Sequence, residues 1–207
     1  MIYMNKLIFA LVFLGSCASF TVEDYKLIAT SVFRTYPDMI LTKEFIDSKD
    51  YSFIKVKIDR ADPVIMSLVS IEKNIYTWVS ETNEKLITKN GKIIRTEGLD
   101  HDFRILNTSE IDLANKTIEL LIQLQNPQAL ISQTSSISVT ESLVKHSSKN
   151  YENTVIYTED FKSKRFNWKG QNYYWKSLDL DLVIRTHQHF HPYQPSYDIQ
   201  FYYKFSE

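Results

Sequence analysis

Lys85-Leu86-Ile87-Thr88-Lys89-Asn90-Gly91-Lys92-Ile93-Ile94-Arg95-Thr96 is the stretch that decides the fold. Two short runs rich in Ile, Leu and Thr flank an Asn-Gly pair. That pair is a strong hairpin signal, because the type I′ turn joining two strands needs positive φ at both central residues. A two-residue loop also predicts the register, with Ile87 opposite Ile94 and Thr88 opposite Ile93.

The same pattern continues on both sides. Ile54, Val56 and Ile58 alternate with Lys55 and Lys57, the mark of a half-buried strand. An apolar run follows Pro63 from Val64 to Ile71, and residues 75–80 set Tyr76 and Trp78 on one face with Thr77 and Val79 on the other. Further strands are predicted at 117–124, 136–140, 154–161, 173–176, 182–190 and 197–205, the last with Ile199, Phe201, Tyr203 and Phe205 on one face. Helical spacing is rare. Thr21-Val22-Glu23-Asp24 reads as a capping box opening a helix over 22–35 that Pro37 ends, and a Ser-x-x-Asp pattern predicts a short helix over Ser109 to Asn115. The expected architecture is all-β: an antiparallel meander curled into a barrel- or sandwich-like domain, with a short N-terminal helix.

Composition agrees with this. Thirteen Tyr, twelve Phe and three Trp in 207 residues favour sheet over helix. A net charge of −1 with no basic stripe leaves nucleic acid without an electrostatic footprint. Cys17 is the single cysteine, so no intrachain disulfide is available. No linker or repeat divides residues 17–207, which are expected to form one domain.

Ahead of Cys17, Lys6 is followed by the apolar run Leu7 to Phe13 and then Leu14-Gly15-Ser16-Cys17. A basic start, an apolar segment too short to span a bilayer and small residues before a cut site describe a secretory signal over residues 1–16. Leu-Gly-Ser-Cys resembles the lipobox of bacterial lipoproteins, in which Cys17 becomes the acylated first residue after cleavage. Palmitate or similar chains there would anchor the domain to the lipid bilayer. By the sorting rule that resemblance implies, Ala18 after the cysteine points to the outer membrane, with the domain facing the periplasm. The alternative is an ordinary signal peptide cleaved near Ala18 or Phe20, with Cys17 discarded.

Trp78-Val79-Ser80 and Leu86 to Leu99, with the late Tyr174-Trp175 and the run Val183 to Pro192, resemble the signature of the YjbF/GfcB family of group 4 capsule polysaccharide lipoproteins. Leu41-Thr42 to Ile46 and Tyr51-Ser52 are similar to its upstream pattern. Lys92 stands where the family usually has Arg, Thr186 stands for Ser, and the glycine between Trp175 and Val183 is missing. The resemblance implies an outer-membrane lipoprotein, not an enzyme, that works in exopolysaccharide or capsule secretion or assembly and contacts export proteins or the polymer. Its signature positions here are Trp78, Ser80, Asn90, Gly91, Arg95, Thr96, Gly98, Leu99, Trp175, Gln188 and Pro192. Most read as architectural: Asn90-Gly91 for the turn, Trp78 for an interior, and Gly98 for a bulge or a residue with positive φ as the chain leaves the hairpin.

Three constellations bear on chemistry. His187, His189 and His191 recur at period 2, which places three imidazoles on one strand face; two could share a metal, while a solvated polar face is the plainer expectation. Tyr174, Trp175 and Tyr202 are candidates for glycan contact, since aromatic rings bury the apolar faces of sugars, and Tyr202 is expected to be exposed beside Gln200 and Lys204. For hydrolysis the chain has no Gly-x-Ser-x-Gly elbow, no His-Glu-x-x-His and no phosphate-cradling glycine loop. No cofactor is expected. The leading expectation is a non-enzymatic accessory lipoprotein; a carbohydrate-binding lipoprotein is second and a metal-binding one third.

Overall fold

Alternation of apolar and polar residues along nearly every strand rolls the sheet into a closed barrel. The computed structural model describes residues 39–141, 153–163, 167–192 and 194–204, apart from the side chains of 110 and 141. Cys17, the expected helix over 22–35 and Phe205 lie outside the described residues. Those described belong to one compact unit, Pro37–Glu207.

The strands are β1 (Phe53–Ile58), β2 (Val64–Glu72), β3 (Ile75–Ser80), β4 (Lys85–Lys89), β5 (Lys92–Glu97), β6 (Phe103–Ile105), β7 (Thr117–Leu124), β8 (Ala129–Glu141), β9 (Thr154–Ser163), β10 (Trp168–Ser177), β11 (Leu182–His189) and β12 (Ser196–Tyr202). Each pairs antiparallel with its chain neighbours, and β1 closes the ring on β12, with Phe53 opposite Tyr202. Closure leaves no open sheet edge. The sequence patterns allowed a barrel or a sandwich; the β1–β12 ladder makes it a barrel. Bulges at Leu68/Ser70, Ile87/Thr88 and Trp175/Lys176 shift the register and add the local twist that a barrel needs.

Along β7 the residues Ile118, Leu120, Ile122 and Leu124 are buried, while Thr117 and Glu119 face out; β8 buries Ile131, Gln133 and Ser135 and exposes Ser132, Ser136 and Ser138. Apolar-in and polar-out is the reverse of a transmembrane barrel, and it suits a wall standing in water. The main core contains Trp78, Phe103, Tyr174, Phe190, Tyr197 and Phe201, each contributing on the order of 1.5–3 kcal/mol by burial. A second, smaller cluster lies outside the wall, where the helix α1 (Lys43–Asp47), N-capped by Thr42, lays Ile46 over Phe53 and Tyr202.

Several expectations need correction. β6 was not predicted, being three residues long, and β8 and β10 extend well beyond their predicted bounds because polar residues occupy their outer faces. The helix expected over Ser109 to Asn115 is absent: a 3₁₀ turn spans Thr108–Glu110, and Asp112 accepts a hydrogen bond from the Ala114 amide. An aspartate that bonds the backbone two residues ahead favours a turn over a helix. In the central hairpin, Thr88 does face Ile93, but Ile87 faces Arg95 and not Ile94, because β5 carries an extra residue.

Candidate functional site

That extra residue follows from where the hairpin goes. Asn90 and Gly91 have φ of 50° and 78°, the type I′ geometry. β5 pairs with β6 at Arg95↔Arg104, and its first half leans into the barrel. Lys92, Ile93 and Ile94 are all buried in succession, which a strand with one solvent face would not allow. β5 and β11 stand on opposite sides of the ring, yet they meet through the side chain of Gln188. Its Oε1 accepts from the Ile93 amide at 3.0 Å, and its Nε2 donates to the Gly91 carbonyl at 2.8 Å and to Thr186 Oγ1 at 2.8 Å. A β-carbon on Gly91 would fall 2.5 Å from Val183 Cγ1, so only glycine lets the turn approach β11 this closely. On its other side the turn meets the β6–β7 loop: Asn90 Nδ2 donates to the Ile111 carbonyl and Lys89 Nζ to that of Thr108.

Beneath the turn lies a buried ionic cluster. Lys92 Nζ donates to Glu159 Oε1 and Oε2, Tyr174 Oη donates to Glu159 Oε2 at 2.7 Å, and Asn172 Nδ2 donates to the same oxygen at 3.0 Å. Burial pushes the Glu159 carboxyl up, but the Lys92 charge and hydrogen bonds from Lys92, Ser135 and Asn172 outweigh it and hold the group down at about 2. Burial first, and then the Glu159 charge, raise the Tyr174 phenol well above its usual value, so it stays protonated and donates. Both Glu159 oxygens are thus held by protein donors.

Above the turn the barrel mouth opens into a cup of about 550 Å³, lined among others by Asn74, Tyr76, Asn90, Gly91, Asp112, Lys176, Asp181, Val183 and Tyr203. Two of its lining residues, Tyr76 and Tyr203, belong to a square of four rings. Tyr76 stacks on Trp78 (6.0 Å, 9°) and Tyr203 on Phe201 (5.9 Å, 9°), while Trp78 meets Phe201 and Tyr76 meets Tyr203 edge to face at 5.7 and 6.1 Å. Tyr203 Oη donates to the Val183 carbonyl at 3.0 Å, and Lys176 Nζ pairs with Asp181 at 2.5 Å. Apolar rings below and hydrogen-bonding groups around the rim form a concave site of the kind that takes small polar molecules.

The remaining predicted positions fall in several places. Trp78 is fully buried and donates through Nε1 to Thr88 Oγ1; Ser80 accepts from the Thr82 and Glu84 amides in the β3–β4 turn. Thr96 Oγ1 accepts from the Phe103 amide, Gly98 has φ of 84°, and the Gly98 and Leu99 amides both donate to the Asp102 carboxylate. Arg95 is exposed and paired with Glu97, and Pro192 is exposed beyond the end of β11. None of these reaches the cup except Asn90 and Gly91. The glycan-contact expectation fails for two of its three residues. Tyr174 is 0% exposed inside the barrel, and Tyr202 is 6% exposed because it stacks on Phe53 at 4.8 Å beneath α1. Trp175 is half-buried on the outer wall, with the Arg185 guanidinium over its ring at 5.1 Å.

The three histidines do not converge. His187 faces outward opposite Asp198, His189 Nε2 bonds the Gln194 carbonyl at 2.9 Å, and His191 lies past the strand end, buried. Among the described residues no three of His, Cys, Asp and Glu group as metal ligands would. Tyr76, Asn74, Asp112 and Lys176 were not singled out from the sequence as site residues.

Residues 27–201 match the family described as "Group 4 capsule polysaccharide lipoprotein gfcB, YjbF". The chain belongs to the YjbF family. Membership associates it with capsule or exopolysaccharide processes and with a lipoprotein's attachment to a membrane. The crystal structure of the hypothetical lipoprotein YmcC from Escherichia coli (K12) is similar over 89% of this chain and 97% of that one, with a TM-score of 0.67 at 17% identity, and so shares the fold. No curated protein matches the chain. Lys92, Thr186 and Gln188 are among the residues that tie the hairpin turn into the barrel.

Proposed function

We propose that this YjbF-family protein is a non-enzymatic accessory factor in the secretion or assembly of an exopolysaccharide, anchored to the outer membrane through acylated Cys17 and facing the periplasm. The observation that carries the non-enzymatic reading is the Lys92–Glu159 pair: the most perturbed carboxylate is 1% exposed and both its oxygens are held by protein donors. Such a group cannot reach a glycosidic bond, whose cleavage needs two carboxyls flanking the substrate. What the fold offers is a rigid polar wall and a cup at one mouth, surfaces suited to holding a partner in place.

Deleting the gene and complementing it with wild type or Cys17→Ser tests this reading, with released and cell-bound polymer measured by sugar analysis. Deletion is expected to lower released polymer several-fold, wild type to restore it, and Cys17→Ser to fail while accumulating as precursor. Unchanged release in the deletion strain overturns the export role. Shortening of the polymer by purified wild-type protein overturns the non-enzymatic reading.

A further inference from the structure

We infer that a groove on the outer wall, across β3 to β6, binds a carboxylate-bearing sugar residue of the exopolysaccharide, an inference that rests on the export reading above. One row of residues runs straight across the ladders as Thr77, Ile87, Arg95, Arg104 and Gln123. Arg95 and Arg104 are therefore directly opposed where β5 meets β6. Opposed residues bring their β-carbons to roughly 4.5–5.5 Å, and like charges placed so destabilise a sheet. An anion between them removes that cost. The protein supplies one to Arg95 alone, through Glu97, which Lys85 also contacts at 3.0 Å. Arg104 is exposed, and its Nε donates to the neutral Gln123 amide at 3.1 Å. Its terminal nitrogens have no carboxylate partner among the described residues.

The two arginines border a groove of about 590 Å³ whose charged lining is Lys85, Arg95, Arg104 and Glu97, and whose aliphatic lining includes Ile87 and the exposed Leu106. Three cations face one carboxylate. The surroundings do not cancel that excess. Lys89, at the end of β4, is a further cation and donates to the Thr108 carbonyl. Glu72 and Lys73 are adjacent and of opposite charge at the β2–β3 turn. The carboxylate of Asp102 accepts from the Gly98 and Leu99 amides and that of Glu84 from the Ser80 and Thr82 hydroxyls, while Glu81, Asp100 and Glu119 are exposed outside the groove lining.

A guanidinium fork matches a planar carboxylate with two parallel hydrogen bonds. The aliphatic lining can cover the C–H face of a pyranose, and the Thr77 and Thr108 hydroxyls can donate to or accept from its hydroxyls. Other acidic partners fit less well. Binding to an anionic bilayer uses clusters of about 4–8 Lys or Arg, and no aromatic side chain lines this groove among the described residues. An acidic peptide finds no strand edge to extend, because the barrel is closed.

The test passes full-length protein, in a zwitterionic detergent, over immobilised oligogalacturonate and over the producing strain's exopolysaccharide, each also presented with its carboxyls reduced to alcohols. Vesicles of phosphatidylglycerol in phosphatidylcholine form a separate arm. Expected is retention by at least one of the two unreduced polymers, weakened by salt and lost on reduction. Arg104→Gln should weaken retention about tenfold, the loss of one charge-assisted hydrogen bond. Glu97→Gln frees Arg95 and Lys85 from their carboxylate and should strengthen retention several-fold, a change of sign that damage to the fold would not produce. Lys169→Gln removes the same charge from an exposed lysine of β10 and should leave retention unchanged. No retention by either acidic polymer, equal retention of the reduced forms, weakening by Glu97→Gln, or equal weakening by Lys169→Gln and Arg104→Gln overturns the inference. Retention by the vesicles without retention by either polymer overturns the assignment to a sugar. An empty groove in a protein that export still requires removes the site and leaves the export reading intact. Sugar retention by the protein of a strain whose export survives deletion does the opposite.

Discussion

Lys92 and Glu159 are separated by 67 positions in the chain, yet the lysine ammonium sits 2.6 Å from both oxygens of the glutamate in the interior of the barrel. The pair joins the tip of the central hairpin to the far wall. Taking two charges out of water is costly, and a buried pair recovers that cost only while both members are present.

Removing one member should therefore cost far more than removing both. Lys92→Met or Glu159→Gln is expected to destabilise by about 3–5 kcal/mol, and Lys92→Met with Glu159→Leu to recover most of that loss. Urea unfolding of the three variants measures it. Single variants within about 1 kcal/mol of wild type would show that the pair is not holding the tip.

Acid should act on the same pair. The Glu159 carboxyl titrates at about 2 in the folded protein against a reference of 4.5. Between those values the unfolded chain binds more protons than the folded one, so stability rises with pH through this window. The Glu159 contribution is thus fully present above about 4.5 and is lost as pH falls toward about 2. Urea midpoints measured across the window should slope more steeply for wild type than for Glu159→Gln, and parallel slopes would refute the assignment.

Gly91 and Gly98 both have positive φ but differ in surroundings. A β-carbon at Gly91 would fall 2.5 Å from Val183 Cγ1, whereas at Gly98 the nearest atom, Glu84 Cα, is 3.5 Å away. Gly98→Ala should show the backbone strain alone, about 1–3 kcal/mol. Gly91→Ala should add an overpacking cost of roughly 1–3 kcal/mol. Thermal or urea melts that rank the two in the reverse order would contradict the wedge at Val183.

Gln188 has a local signature. Replacing it with Leu leaves the Ile93 amide and the Gly91 carbonyl without the partners they have now, at about 1–3 kcal/mol for each buried group. Hydrogen exchange should accelerate at Ile93 well before it does at β7 or β8 amides. Uniform acceleration would mean that the turn has no separate anchor.

The sequence reading succeeded where side-chain alternation decides. The hairpin at Asn90-Gly91, the β7 strand and the all-β class were all legible, because period-2 burial leaves a direct trace. The inward lean of the hairpin was not. Lys92 looks like a solvent-facing lysine beside a turn, and its partner Glu159 lies far away in an ordinary alternating strand. The cup was missed for a related reason: Tyr76 and Tyr203 follow the same alternation as the core, and only their place at the strand ends separates them from Trp78 and Phe201. One signal was available. In an up-and-down meander every second turn falls at the same mouth, so Lys73-Asn74, Asn90-Gly91 and Asp179 to Asp181 belong together. The aromatic candidates went the other way, because Tyr202 on a polar-looking strand face is covered by α1, a five-residue helix too short to announce itself.

The β1–β12 ladder has a consequence in time. Phe53 precedes its partner Tyr202 by 149 residues, so β1 reaches the compartment where the chain folds well ahead of β12. Throughout that interval β1 can bond β2 on one flank only, and its other flank offers bare amides and carbonyls to any passing strand. The last strand is therefore the latch of the whole molecule. Until it arrives there is a curled sheet with two raw edges, and whatever keeps the nascent chain from sticking to its neighbours must act before Tyr202 is delivered.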